Sequence, residues 1–346
     1  MPDPNVALED IANHLGISIS TVSRALRNAS GIHPSTRERI ISQAKKLGYI
    51  TRKRRPAKEI AGAKKRQILV LSAGAATPGG YLQGLSQAAL ETGAVLQIHH
   101  SPPEATASVL EGATMPVTLR DESCDGVILV YHWPDEVIAE LSRKCPLVSI
   151  VHEYPGRNVD VVGIDTYGGM HGIIRHLTGL GHRRIGFYGL MPDITWSRSR
   201  FGAFAEAVIA EGMKLDMRQV ISLDFTPNTE EPLLPKNLAS IAQVEAGMKD
   251  GVRAWVAADD FLGYRMAEAL VWNGHEIPKD VSVAGFHRHA YVHSSSVPLL
   301  ASTEVDSAEM GRIAFHQLMR RIESEPGYPI NLQVPATFVP GGSCGL

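Results

Sequence analysis

Apolar positions follow two different rhythms along the chain. Over residues 6–49 they recur every three or four places: Leu8, Ile11, Ala12 and Leu15, then Val22 and Leu26, then Ile40, Ile41, Ala44 and Leu47. That spacing predicts three short helices, each with one apolar face. Gly16 closes the first and Ile17 plugs the turn. Ser18 is placed to cap the second helix, which starts near Ile19. Ser20, Thr21, Ser23 and Arg24 remain on its outer side. Pro34 and Ser35 open the third helix and Gly48 ends it.

From Gln67 the rhythm changes to short continuous apolar runs separated by helical stretches. Strands are expected at 68–71, 94–98, 125–130, 146–151 and 161–165, with helices at 82–92, about 105–121 and 135–143. Asp165 or Thr166 caps a further helix containing Gly172, Ile173, His176 and Leu177. The pattern then restarts, with strands at 185–188, 220–223, 254–257 and 281–286 and helices at 198–211, 237–250 and 261–273. A last helix, 306–324, carries Met310, Ile313, Ala314, Leu318 and Ile322 inward. Strand–helix alternation with continuously apolar strands means parallel sheets covered on both faces. Two successive units of this kind imply two lobes and a cleft, with ligands bound beyond the carboxyl ends of the strands.

A helix, a tight glycine turn and a helix with exposed hydroxyls and one arginine is the layout of a helix-turn-helix. Charge separates this from an ordinary three-helix bundle. Residues 1–66 hold 14 Lys and Arg against 5 Asp and Glu, about +9; the whole chain has 34 against 36, so the remainder holds 20 against 31, about −11. A basic module tied to an acidic body fits a DNA reader attached to something else.

Ile17-Ser-Ile-Ser-Thr-Val-Ser-Arg-Ala-Leu26, Thr36-Arg-Glu-Arg-Ile-Ile41 and Leu47-Gly-Tyr49 resemble the DNA-binding module of the lactose-repressor family of bacterial transcription regulators. His176-Leu-Thr-Gly-Leu-Gly-His-Arg-Arg-Ile185, Ala257-Ala-Asp-Asp260 and Ile277-Pro-Lys-Asp-Val-Ser-Val-Ala-Gly-Phe286 are similar to stretches of that family's effector domain. The resemblance implies an all-α helix-turn-helix headpiece at 1–50, a basic hinge or linker at 51–66, and an α/β, periplasmic-binding-protein-like (type I) effector and dimerisation domain at 67–346. Its lobes would be about 67–164 with 302–328, and about 165–301 with 329–346. Function follows as an expectation: a sequence-specific regulator, most relatives being repressors, controlled allosterically by a small molecule between the lobes. A sugar or sugar derivative, including an anionic one, is the expected effector.

In the resembled family, Ile19, Ser20 and Arg24 face base edges in the major groove, where arginine can make two hydrogen bonds to guanine. Ser18, Thr21, Ser23 and Arg27 are expected on phosphates or as caps. The family's linker is a hinge helix that wedges an aliphatic side chain into the minor groove. Here the pattern departs: Thr51-Arg52 replaces the usual Pro-Asn pair, Pro56 falls where the helix would be under way, and Ile60 is the aliphatic left for the wedge. The alternative is a solvated basic tether that adds salt-dependent affinity.

For the cleft the resemblance implies Arg200 as the group that grips the ligand, Phe225 as a stacking aromatic, Asp259 where relatives often place an asparagine, and Tyr81 at the start of a ligand-contacting loop. The aspartate that usually follows Gly-Phe is replaced by His287 and Arg288, and Val151-His152-Glu153 stands at a second such place. That exchange favours an acidic sugar, a phosphate ester or another anion.

Other classes are disfavoured. There is no Gly-x-Ser-x-Gly elbow, no phosphate-cradling lysine loop and no paired carboxylates at a strand end, so no catalytic residue is expected. His287, His289 and His293 lack the fixed ligand set of a metal site, and no metal or cofactor is expected. Cys124, Cys145 and Cys344 lack metal spacing and read as free thiols in a reducing cytoplasm. No run of about 18 apolar residues exists, so no membrane span is expected. The chain start lacks the basic and apolar regions of a signal peptide. No apolar heptad tail follows the last strand, so a homodimer on a palindromic operator is expected rather than a tetramer. Two other classes stand beside this reading: a regulator without a small-molecule effector, and a cytoplasmic ligand-binding module with only non-specific DNA affinity.

Overall fold

The first helix, α1 (Leu8–Leu15), ends because Gly16 adopts φ +65°, where a side chain is strained. Ile17 N then donates back to Ala12 O at 3.1 Å, and Ile17 packs on Ile11 and its neighbours. This is the helix stop with an apolar plug that the Gly16-Ile17 pair predicts. The computed structural model describes residues 8–18, 21, 22, 25, 33–47, 65–74, 78–223, 238–288, 294–324 and 327–345. Thr21, Val22 and Ala25 are helical, and α2 spans Pro34–Lys46. Ile11, Ala12, Val22, Ala25, Ile40 and Ala44 form the small core, with Leu15, Ile17 and Leu47 at its edge. Ile41, expected inside, is exposed. Residues 1–63 form one compact unit and 64–346 another.

The larger unit is built on two sheets. The first contains β1 (Gln67–Ala73), β2 (Val95–Ser101), β3 (Gly126–Val130), β4 (Leu147–Ile150), β5 (Val159–Asp165), β10 (Ser302–Val305) and β11 (Asn331–Val339). Their order is β10-β11-β5-β4-β3-β1-β2, parallel except for the β10–β11 pair. The second contains β6 (Ile185–Leu190), β7 (Val220–Ser222), β8 (Ala254–Ala257) and β9 (Ser282–Ala284), all parallel in the order β7-β6-β8-β9. Helices α3 (Gly79–Thr92), α4 (Val117–Arg120), α5 (Asp135–Lys144), α6 (Thr166–Gly179), α7 (Thr195–Ala210), α8 (Leu238–Lys249), α9 (Asp260–Trp272) and α10 (Ser307–Glu323) cover them. Alternation explains why whole strands are apolar: Ile68, Val70, Ile128 and Val130 face one buried cluster, Leu69, Leu71, Val127 and Leu129 another. Helices α3 and α10 cross closely where Gly84 faces Ala308 and Gly311 faces Tyr81; a Cβ on Gly311 would lie 2.3 Å from Tyr81 O. That crossing fixes Tyr81 against the sheet.

Two expectations need correction. Residues 105–121 do not form one helix. They make 3-10 turns at Pro103–Ala105 and Gly112–Thr114 before the single turn of α4. Gly112 takes φ +49° and Pro116 precedes α4, so the helical ladder is broken twice. The division of the lobes also differs, since 329–346 is assigned above to the second. Strand β11 instead joins the first sheet, with Asn331–Pro335 parallel to β5 and Ala336–Val339 antiparallel to β10. The handover falls at Pro335, which has no N–H to donate. Only the residues beyond β11 return to the second lobe, where Ser343 O accepts from Val283 N at 3.0 Å.

Three chain segments therefore cross between the sheets. One is Asp165, which ends β5 and caps α6 by accepting from Gly168 N at 2.9 Å. The second is Ala301–Ser302, where Ala301 bridges to Ala284. The third is the stretch after β11. Ser343 locks the last two together: its Oγ accepts from Ala301 N at 2.9 Å and donates to Val283 O.

Candidate functional site

The head presents the start of its second helix. Ser18 Oγ accepts from Thr21 N at 3.2 Å and lies 2.8 Å from Thr21 Oγ1, while Val22 N donates to Ser18 O. This is an N-cap, and it places two hydroxyls at the positive end of a helix, where a phosphate oxygen is favoured. Ser18 is exposed and Thr21 half-buried. Ile19, Ser20, Ser23, Arg24, Arg27 and Ile60 lie outside the described residues.

In the larger unit, backbone strain marks the site. Among the described residues, four non-glycine residues have positive φ, and three of them lie just past strand ends: Tyr131 (φ 64°) directly after β3, Val151 (φ 72°) directly after β4 and His287 (φ 66°) three residues after the end of β9. For a β-branched valine this region is costly, and such outliers collect where side chains are aimed at a ligand. All three lie at carboxyl ends of parallel strands, the ligand side of this architecture.

Arg200 is the charged centre. It extends from α7, is buried, and donates from Nη1 to Ala258 O at 2.8 Å. Its guanidinium lies 4.7 Å from the ring centres of both Trp196 and Phe286. Burial lowers its pKa to about 10, opposed by the charges of Asp259 and Asp260 and by Tyr81. Tyr81 comes from α3 of the first lobe, so Arg200 stands where both lobes meet. Asp259 caps α9, accepting from Leu262 N at 2.8 Å, which accounts for its residue type structurally. Its neighbour Asp260 is buried against Gly285, where a Cβ would lie 2.1 Å from Asp260 Oδ1. Burial raises the Asp260 pKa to about 6, against a hydrogen bond donated by Ser302 Oγ.

His287 is buried, and its N–H donates to Thr303 Oγ1 at 3.0 Å. Arg288 does not supply the cleft charge read from the sequence. It donates to Glu304 Oε1, Leu300 O and Pro340 O, bracing two of the crossing segments. Phe225 lies outside the described residues. Sequence reasoning missed Trp196, Phe286, Asp260 and His132 as site residues, while His152 was noted only as standing where relatives often have an aspartate. His132 and His152 stand 6.0 Å apart after β3 and β4, and His132 stacks on Tyr154. Burial lowers the pKa of both, that of His152 to about 4, so each is a neutral donor and acceptor at pH 7. No group of three or more His, Cys, Asp or Glu among the described residues is arranged to hold a metal.

Aromatic rings, a buried guanidinium and carboxylates thus gather around Arg200, and two neutral imidazoles stand at strand ends of the first lobe. Residues 7–52 match the bacterial regulatory proteins of the lacI family, and 174–344 match the periplasmic binding protein-like domain. The chain is 27% identical to the HTH-type transcriptional regulator CelR of Thermobifida fusca over 94% of both chains. It is 26% identical to the HTH-type transcriptional repressor MelR of Bacillus subtilis over 98% of both. Among solved structures, a CelR–cellobiose complex shares the fold at TM-score 0.63 and 23% identity, covering 98% of this chain and all of that one. A lac repressor dimer bound to operator and the anti-inducer ONPF also has TM-score 0.63, at 20% identity and 99% coverage of both.

A helix-turn-helix head on a two-lobed body of this kind defines a DNA-binding transcription regulator. The chain belongs to the lacI family of bacterial regulatory proteins. No helix among the described residues is long and apolar enough to cross a membrane.

Proposed function

We propose that this lacI-family chain is a cytoplasmic repressor that binds a palindromic operator as a homodimer and changes its DNA affinity when a sugar or sugar derivative enters the cleft. The observation that carries the ligand half is Arg200, held by Trp196 and Phe286 and facing Tyr81 of the other lobe. A partly exposed Trp196 beside a guanidinium rich in donors suits a pyranose, whose one face is apolar and whose rim is hydroxyls. His132 and His152 would meet that rim from the first lobe. A ligand touching both lobes favours one lobe orientation over the other, and that difference in affinity drives the change at the head.

Arg200 also favours an anionic derivative. It is the buried cation at the meeting of the lobes, and a carboxylate or phosphate would form a charge-assisted pair with it. Thermal melting with neutral sugars, uronates and sugar phosphates separates the readings: a shift confined to neutral sugars removes the anionic one.

The dimer would use the edge of the first sheet. Leu90 on α3 is 79% exposed, and Val95 and Ile98 of edge strand β2 are exposed beside it in sequence. Selection of bound sites from random DNA, repeated with a metabolite panel, tests the whole reading. Enrichment of a two-fold symmetric site whose occupancy responds to one metabolite is the expected result. A symmetric site indifferent to all metabolites favours a regulator without an effector. No enriched site leaves a ligand-binding module with non-specific DNA affinity.

A further inference from the structure

Cys124 and Cys145 stand at the amino ends of neighbouring parallel strands. Val127 of β3 pairs with Leu147 of β4, and Val127 N donates to Pro146 O at 3.0 Å. Both cysteines pack against the cluster of Leu69, Val127 and Leu147; Cys124 Sγ donates to Gly126 O at 3.3 Å and Cys145 Sγ to Leu141 O at 4.0 Å. They are not equivalent: Cys145 is buried and Cys124 partly exposed. The neighbouring Cys145 side chain holds the Cys124 thiol down, while the nearness of Cys124 and burial push the Cys145 thiol up. A partly exposed thiol with a lowered pKa beside a second thiol is the arrangement of an attacking and a resolving cysteine.

The residue after Cys124 ties down the entry of the linker. Asp125 accepts from Arg66 Nη1 at 3.0 Å and from Gln67 N at 2.7 Å, and Asp125 N donates to Gln67 O at 2.9 Å. These contacts fix the point where the basic segment joins the first sheet.

We infer that Cys124 and Cys145 form a reversible disulfide under hydroperoxide, and that closing it loosens the Asp125 anchor of the linker. In the first step the Cys124 thiolate attacks a peroxide oxygen. An S–O bond forms, the O–O bond breaks, and hydroxide leaves to become water, giving a sulfenic acid. The Cys145 sulfur then attacks Cys124 Sγ. The S–S bond forms, the S–O bond breaks, and the thiol proton leaves with the oxygen as a second water. Two electrons pass from the two thiols to the peroxide. Drawing the sulfurs together pulls Cys124 from its contact with Gly126 O and displaces Asp125 beside it.

The test uses the full chain and hydrogen peroxide. Thiols counted in denaturant should fall from three to one, and peptide mapping should join Cys124 to Cys145. Cys145→Ser should instead yield a dimedone adduct on Cys124. Three thiols retained, or loss mapped to Cys344, overturns the inference. Trypsin should cut after Arg66 several-fold faster in the oxidised protein, reversed by dithiothreitol; equal rates overturn the coupling to the linker. The DNA readout rests on the regulator reading above: a selected duplex should bind several-fold more weakly after oxidation, with Cys145→Ser carrying no such disulfide-dependent loss. Disulfide formation in a protein that selects no duplex would leave the inference standing and sink that reading alone.

Discussion

The Arg200 guanidinium lies 4.7 Å from the centre of the Phe286 ring, which joins the helix after β6 to the loop after β9. Trp196 stands at the same distance, so the planar cation lies against two aromatic rings. Lysine cannot present a planar cation there or keep several directed donors. Arg200→Lys and Arg200→Ala should each weaken effector binding by at least about tenfold, from loss of a charge-assisted bond of about 1.5–3 kcal/mol. Calorimetric titration measures this, and binding to the selected operator without effector should be retained. Unchanged effector affinity in both variants would remove Arg200 from the ligand site.

Asp260 gives the fold a signed pH dependence. Its pKa is raised to about 6 by burial, above the value of 3.8 that it would have unfolded. Between these values the folded state holds a proton that the unfolded state has released. Its contribution therefore favours the folded state below about pH 4 and is lost as pH rises through 6. Asp260→Asn keeps an oxygen to accept from Ser302 and removes the charge. It should raise stability at pH 7 by about 1–3 kcal/mol and flatten this part of the profile. Urea unfolding at pH 4.5 and 7 checks the sign; a variant less stable at pH 7 would show that the charge pairs with Arg200 and Arg288 outweigh burial.

The Ser18 cap makes a smaller claim about the head. Ser18→Ala leaves Thr21 N without its side-chain acceptor and should cost about 1 kcal/mol, with Ser18→Asp restoring most of it. Melting of the head followed by circular dichroism measures both. If alanine and aspartate melt alike, the cap contributes nothing.

The elements and the cleft were legible to different degrees, for physical reasons. Period-2 and period-3.6 patterns carry burial, so strands β1 to β9 and most helices were read within a few residues, while β10 and β11 were not among the expected strands. The stretch 105–121 failed because composition hides chain reversals: Gly112 at positive φ and the prolines decide its path, not its apolar count. Strand β11 failed differently. Its residues alternate as a strand should, but no local signal says which of two sheets it joins. At the candidate site, Arg200 and Tyr81 were named by resemblance, and the structure brings them near one another. Trp196 and Phe286 read as ordinary aromatics until both were found against one guanidinium. The strain at Tyr131, Val151 and His287 was unreadable, because none is a residue type that announces positive φ.

Arg24 is the test of base reading at the head. A bidentate arginine–guanine contact is worth about 1–3 kcal/mol of discrimination. Arg24→Ala should narrow the gap between selected and unrelated duplexes by about five- to 150-fold. Arg27→Ala, expected on phosphate, should weaken all duplexes alike and flatten the salt dependence by about one unit of slope. Fluorescence anisotropy across a salt series distinguishes them. If Arg24→Ala weakens every duplex equally, the assignment of Arg24 to base edges fails.

The crossing segments predict how the lobes are coupled. Ser343 Oγ satisfies Ala301 N and Val283 O at a buried position, so one hydroxyl ties the connection into β10 to the stretch after β11. Ser343→Ala leaves the buried Ala301 N unpaired and Val283 O with Cys344 Sγ, and should destabilise the fold by about 1–3 kcal/mol. A merely structural serine would stop there. A serine that restrains lobe movement should also change the affinity for effector, because freeing the crossing segments alters the balance between open and closed orientations. Urea unfolding reads the first effect and calorimetric titration the second. Destabilisation with unchanged effector affinity would make Ser343 a packing residue and place the moving joint at Asp165.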